Sequence, residues 1–222
     1  MTSCFLVIYN TERPGWQKDD VWKARLCFFK GWGIFDKEPN GREKGSSFLL
    51  SFHGMKPKRI TRADKSGCSF AMGVCCPEDF PFLLGMYDNF SPKPASQGLP
   101  PEDSETCQNW VKNLFEIGEN FLAWRGERII GHVSLVPDRQ GKSCEFVIFV
   151  HQANRNLGIG TELTRFALER ANRQGYDSVW LTVSISNSIA IKLYKKLGFE
   201  YYDRDGSERL MNIKLSRPSD SE

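Results

Sequence analysis

The chain has 222 residues, 40% of them hydrophobic, enough for one large domain or for a domain with a small extension. No apolar run approaches the eighteen or so residues needed to cross a bilayer, which sets a membrane-spanning helix aside. The net charge of +3 is uneven: residues 1–66 carry 13 Lys/Arg against 7 Asp/Glu, a net of +6, and the rest carry 17 against 20, a net of −3. That contrast predicts a boundary near Lys65-Ser66-Gly67.

The first part, residues 1–66, reads as a small, basic, β-rich extension. Residues 3–9 are β-prone. Trp22 to Phe35, broken by Gly31 and Gly33, predicts two strands or one bent strand. Asp36 to Gly41 is a turn cluster ending in Asn40-Gly41, and Phe48 to Phe52 returns as another strand. The run Cys4 to Tyr9 is too short for a signal peptide and has no basic segment before it, so the expected location is the cytoplasm. Met55 stands as a second candidate start. Lys56 to Arg62 is basic. A nucleic-acid contact with nearby Trp and Phe stacking is one reading; a solvated linker is the stronger one, because so short a charge run is usually wet surface.

Cys68 to Val74 predicts a strand. Pro77-Glu78-Asp79 opens a helix, with proline in its first turn and acids at its positive end; Phe80, Leu83, Leu84 and Tyr87 continue its apolar face. Ser91 to Pro101 is a proline-rich loop. A second helix carries Cys107, Trp110, Val111 and Leu114. Asn120 to Trp124 and Glu127 to Val136 form a hairpin about Arg125-Gly126. After the turn Asp138–Gly141 comes a strand from Ser143 to Val150. Ile159, Leu163, Phe166, Ala167 and Ala171 then fall on one face of a helix. Ser178 to Val183 is a strand, Asn187 opens a helix, and Tyr201–Asp203 with Leu210–Leu215 end the domain, 67–216. The tail, 217–222, is polar and loose. Seven cysteines, odd in number and without a Cys-x-x-Cys, predict buried reduced thiols rather than disulfides or a metal site.

Two stretches carry chemistry. Between the strand ending at Val150 and the helix beginning at Ile159 lies Arg155-Asn156-Leu157-Gly158-Ile159-Gly160. Free N–H groups at a helix N-terminus, with glycines allowing close approach, suit a phosphate or pyrophosphate. The third glycine of the dinucleotide fingerprint is replaced by Leu163, and the Gly-Lys-Ser/Thr ending of a nucleoside triphosphate loop is absent. The second stretch is Asn187-x-x-Ala190-x-x-Leu193-Tyr194-x-x-x-Gly198-Phe199. Together, in this order and spacing, the two resemble the signature motifs of the GNAT acyltransferase superfamily, over roughly residues 68–215.

The resemblance implies an α+β fold with a mixed, mainly antiparallel sheet and helices on both faces. It implies acetyl transfer from acetyl-coenzyme A to an amine, with no metal. It places backbone contacts to the cofactor at Phe149 and Val150 (pantetheine and acetyl carbonyl) and from Arg155 to Gly160 (pyrophosphate). Asn187 resembles the residue that bonds the pantetheine arm, although it is also a good helix cap. Three departures stand out: Gln152 where the family often has Pro, Asn156 where it often has Gly, and Gly73 where the first strand often carries Arg.

A primary amine of pKa near 10.4 is neutral in only about one molecule in a thousand at neutral pH, a cost of about 4 kcal/mol, so a base is needed. Glu145-Phe146-x-x-x-Val150 resembles the strand that carries the base in the protein-lysine branch of the superfamily; a merely solvated Glu is the other reading. His132 and His151 are weaker alternatives. Tyr194 resembles the family's general acid, and core packing is its other reading. The acceptor, a small-molecule amine or a protein lysine, stays open. So do a homodimer and a catalytically weak acetyl-coenzyme A sensor whose basic N-terminal part binds a protein or nucleic acid, the nucleic acid being the less favoured partner.

Overall fold

The computed structural model describes residues 58–92, 100–138, 140–203 and 207–216. All belong to the unit that begins at Lys58. The strands expected within residues 3–52, most of the proline-rich loop and the tail lie outside the described residues.

Eight strands form one sheet. In chain order they are β1 (Ile60–Ala63), β2 (Ser69–Val74), β3 (Glu119–Arg125), β4 (Arg128–Pro137), β5 (Ser143–Val150), β6 (Ser178–Ser184), β7 (Glu200–Asp203) and β8 (Glu208–Lys214). Across the sheet the order is β1-β2-β3-β4-β5-β6-β8-β7. Every neighbouring pair is antiparallel except β5–β6. The helices are α1 (Phe80–Asp88), α2 (Ser104–Ile117), α3 (Ile159–Arg173) and α4 (Ser188–Lys196). This is the expected mixed sheet with helices on both faces. No helix among the described residues is long and apolar enough to cross a membrane.

Two differences from the sequence reading have local causes. The basic stretch read as a linker contributes Ile60–Arg62 to edge strand β1, which pairs with β2 while most of its side chains stay exposed. The helix expected from Pro77 is instead a single 3-10 turn, Pro77–Asp79, followed by α1. An α-helix starting at Pro77 would ask residue 81 to donate to the Pro77 carbonyl, and Pro81 has no N–H. The Phe80 N–H takes that carbonyl in its place.

Alternation along β5 divides the core. Cys144 and Phe146 join α3 and α4 through Ile159, Leu163, Ala167 and Tyr194, with Ile148 and Val150 packed against them. Phe149 joins α1 and α2 through Leu83, Tyr87, Cys107 and Val111, with Val147 packed against that second cluster. On that side Gly73 leaves room for Arg59, whose Cγ lies 3.4 Å from where a Cβ on Gly73 would sit. The Arg59 guanidinium stacks 3.7 Å from the Trp124 ring centroid and pairs with Asp79 at 3.4 Å. The departure from the family's arginine thus coincides with an arginine arriving from the residue just before the neighbouring strand.

Candidate active site

Strands β5 and β6 pair at only three positions, Ser143↔Ser178, Cys144↔Val179 and Glu145↔Trp180. Both continue, to Val150 and Ser184, so past Glu145 they part and leave a gap. The His151 N–H donates to the Ile130 carbonyl at 3.0 Å. By the alternation of an antiparallel ladder, Phe149 and His151 therefore address β4, while Ile148 and Val150 aim their backbone groups at the gap. The Val150 carbonyl accepts from Arg155 Nε at 3.0 Å. Its N–H remains directed into the opening.

Helices α3 and α4 both begin at the mouth of this gap. A Cβ on Gly160 would lie 3.6 Å from Val150 Cγ2 and 3.6 Å from Leu193 Cδ1. The strand end and the two helices thus meet at Gly160.

The loop into α3 turns through two left-handed residues, Asn156 at φ 64° and Gly158 at φ 88°. Asparagine is among the few side-chain-bearing residues that enter this region readily, so Asn156 serves where the family often has glycine. The backbone N–H groups of Asn156, Leu157, Gly158, Ile159, Gly160 and Thr161 have no acceptor among the described residues. Six donors at the positive end of a fifteen-residue helix form a cradle for an anion.

Arg155 uses its side chain elsewhere. Besides Val150, its Nη2 donates to the Ser91 carbonyl at 2.6 Å, and its guanidinium carbon lies 5.0 Å from the Phe90 ring centroid. Gln152 works beside it: its Oε1 accepts from the Ser91 N–H at 2.9 Å and its Nε2 donates to the Asn89 carbonyl at 2.7 Å. A second brace holds the loop from the other side. Asn154 Oδ1 accepts from Arg125 Nη1 at 2.9 Å, Arg125 pairs with the buried Asp64 carboxylate, and the Lys65 N–H donates to the Leu157 carbonyl at 3.0 Å. Sequence reasoning missed this brace. Asp64 and Arg125 are 61 residues apart and no local pattern links them.

Asn187 caps α4, its Oδ1 accepting from the Ala190 N–H at 3.2 Å. The cap uses the oxygen and leaves the amide nitrogen as a donor. Tyr194 is 8% exposed and packs edge-on against Phe146 and tilted against Phe199. Burial pushes its phenol pKa upward, so it holds its proton. Its hydroxyl bonds no described residue and is not sealed from solvent.

Glu145 is half-buried, opposite Val136 on β4 and Trp180 on β6, where β5 and β6 begin to part. It shares a sheet face with Val147 and Phe149, the face toward α1 and α2. Phe149 lies 5.6 Å from Tyr87, 5.6 Å from Phe90 and 5.4 Å from Trp110, ring to ring. The site residues thus divide between the gap (Val150, Asn187, Tyr194), the loop (Arg155 to Gly160) and the α1–α2 face (Glu145, Phe149).

The two alternative bases are both engaged. Asn120 Nδ2 donates to the Leu114 carbonyl at 3.1 Å and the Gly118 carbonyl at 2.7 Å. Its Oδ1 must then accept from His132 Nε2, 2.9 Å away, which leaves His132 Nδ1 to accept from the Tyr87 hydroxyl at 2.7 Å. Burial lowers the His132 pKa to about 3, so the ring is neutral with both nitrogens committed. His151 Nδ1 accepts from the Ala153 N–H at 3.4 Å, capping the short 3-10 turn Gln152–Asn154. No metal-holding group of His, Cys, Asp or Glu occurs among the described residues.

Residues 84–199 match the model of the family described as "Acetyltransferase (GNAT) family". A mycothiol acetyltransferase of Streptomyces scabiei is 26% identical over 129 residues, 58% of this chain and 41% of that protein. The chain thus spans about two fifths of that relative's length. Among solved structures, the GNAT domain of S. lividans PAT superposes with a TM-score of 0.60 at 15% identity, covering 71% of this chain and 97% of that one. A putative acetyltransferase, yncA, from Salmonella typhimurium, solved with its cofactor acetyl-CoA, gives 0.55 at 16% identity, with 68% and 96% covered.

Proposed function

The chain belongs to the GNAT family of acetyltransferases, and on that premise we propose that it transfers the acetyl group of acetyl-coenzyme A to a primary amine by direct attack, with Glu145 as base and Tyr194, the family's general-acid position, as the hydrogen-bond donor to the leaving sulfur. The observation that carries this reading is the gap that opens between β5 and β6 beside Glu145, with a row of unused N–H groups at its mouth.

The residues present fit the donor. The N–H groups from Asn156 to Gly160 suit its diphosphate. The Val150 N–H and the spare Asn187 amide suit the pantetheine arm, whose amides need partners inside the gap. The amine nitrogen bonds to the thioester carbon and loses a proton to the Glu145 carboxylate, directly or through one water. The carbon–sulfur bond breaks, and the departing sulfur accepts a hydrogen bond from Tyr194. Burial makes a Tyr194 phenolate costly. The step that suits it is donation of that hydrogen bond while the thiol regains its proton from solvent. Base catalysis of this kind is worth about 10²–10⁴ in rate.

The acceptor is a small-molecule amine or a protein lysine. The name of the mycothiol acetyltransferase relative favours the small molecule, and the strand Glu145-Phe146-x-x-x-Val150 favours the lysine. Thiol release from acetyl-coenzyme A, measured against small amines, amino acids, antibiotics and lysine peptides beside a calorimetric titration of the donor, separates the two. Turnover on one class assigns the acceptor. Tight donor binding with no turnover on any class counts against direct transfer to a primary amine.

A further inference from the structure

We propose that Lys65 binds the diphosphate of acetyl-coenzyme A, held over the loop by the turn it sits in; this rests on the reading of that loop as the diphosphate cradle. The loop's own cation is turned away, since the Arg155 guanidinium is held by the Val150 and Ser91 carbonyls. Glu162, in the first turn of α3, adds a negative charge that is met by Arg165 at 2.5 Å and Arg62 at 3.8 Å. A doubly charged diphosphate would therefore meet N–H dipoles but no free side-chain cation from the loop itself.

Lys65 supplies one. Its backbone N–H donates to the Leu157 carbonyl at 3.0 Å, which pins its Cα to the loop. Its Cγ and Cε would lie 3.6 and 3.8 Å from a Cβ on Gly158, so the side-chain stem runs along the peptide of Gly158. The ammonium is one bond beyond Cε, within reach of a ligand on the loop, and has no ion-pair partner among the described residues.

The turn that presents Lys65 is tightly built. Asp64 Oδ1 accepts from the Ser66 N–H at 2.8 Å, the Ser66 hydroxyl at 2.6 Å and the Cys68 N–H at 3.1 Å. Its other oxygen meets Arg125, which also holds Asn154. The turn is thus tied to the loop at Leu157 and, through Arg125, at Asn154. Gly158 is a glycine for its φ of 88°; the lysine stem beside it lies at ordinary contact distance from where a Cβ would sit.

Lys65→Met should raise the KM for acetyl-coenzyme A about tenfold, the scale of one charge-assisted hydrogen bond, with the change falling on KM and not on kcat. The salt dependence of KM should become shallower, because a screened charge pair has gone. S-acetylpantetheine, which lacks the diphosphate, should be used equally by both proteins. Acetyl-dephospho-coenzyme A, which lacks only the 3′-phosphate, should show the full tenfold difference. Lys65→Arg should restore most of the affinity. An unchanged KM in Lys65→Met overturns the proposal. So does an equal loss with S-acetylpantetheine, which would make Lys65 a support of the loop. Loss of the difference with acetyl-dephospho-coenzyme A would move the contact to the 3′-phosphate. Failure of the unaltered protein to bind acetyl-coenzyme A at all would defeat the cradle reading itself, a result distinct from these.

Discussion

At its Val150 end β5 meets the α3 loop through backbone groups: left-handed residues, unused N–H donors and a carbonyl taken by Arg155. On the face toward α1 and α2, which Glu145 shares, the chemistry lies in side chains, namely a carboxylate, an aromatic cluster about Phe149, and the buried series Tyr87–His132–Asn120. A backbone site needs particular residues only where φ is unusual or space is short, so it tolerates wide variation elsewhere. A side-chain site depends on each polar atom, because a buried donor or acceptor left alone costs its full desolvation.

The largest expected difference between the two regions is in rate. Glu145→Gln should lower kcat by about 10²–10⁴ while leaving the calorimetric Kd for acetyl-coenzyme A unchanged. A normal kcat would remove Glu145 from the chemistry and leave it a polar residue at the fork of two strands. Tyr194→Phe should lower kcat about tenfold, the worth of a hydrogen bond to a developing charge. If Tyr194→Phe instead weakens donor binding with kcat unchanged, the hydroxyl serves the ground state.

A smaller effect tests the α1–α2 face by stability alone. Tyr87→Phe leaves His132 Nδ1 buried without a donor and should cost about 1–3 kcal/mol in a denaturant melt, with donor affinity unchanged. A neutral result would mean that water reaches the ring. This buried series also marks the limit of what the sequence discloses. His132 was legible only as a histidine in a strand, because its partners come from α1, 45 residues back, and from β3, 12 residues back. The loop was legible down to its donors, since Gly158, Gly160 and the helical spacing of Ile159, Leu163 and Ala167 act locally. The succession of elements along the chain from β2 onward and the interval from Ser143 to Val150 were legible for the same reason. Strand β1 was not, because its four residues, Ile60 to Ala63, are mostly exposed and carry no alternation; what makes it a strand is the neighbour it pairs with.

At the backbone end, Gly158→Ala tests conformation rather than chemistry. The contacts a Cβ would make there, 3.6 and 3.8 Å, are ordinary, so the cost is that of the positive φ. That is about 1–2 kcal/mol. It should appear either as lost stability or, if the loop relaxes and turns its N–H groups aside, as roughly tenfold weaker donor binding by calorimetry, the equivalent of 1.4 kcal/mol. Gly175→Ala, at another positive φ outside the loop, provides the control: stability should fall without any change in Kd. Equal donor affinity in both variants, with equal melting loss, would show that the loop's shape contributes nothing specific to binding.

The smallest effect is spread over a pH range. The folded His132 ring stays neutral down to about pH 3, whereas in the unfolded chain it takes a proton near pH 6.5. Above that value neither form is charged and stability is flat with respect to this group. As pH falls below 6.5 the unfolded state gains a proton that the folded state refuses, so stability should decline by on the order of 1 kcal/mol per pH unit. Asp64 and Asp103 enter lower down: hydrogen bonds, to Ser66 foremost for Asp64 and to Thr106 for Asp103, hold both below the usual 3.8, so their contribution is lost only as pH falls past that value. Denaturant melts between pH 4.5 and 6.5 therefore sample the histidine. His132→Gln keeps a donor and an acceptor but cannot titrate. It should be less stable at pH 7 and show a shallower slope, while the Kd for acetyl-coenzyme A at pH 7 stays unchanged. An unaltered slope would mean that another group sets the acid limit, and that burying this ring adds rigidity to the α1–α2 face without making it sensitive to acid.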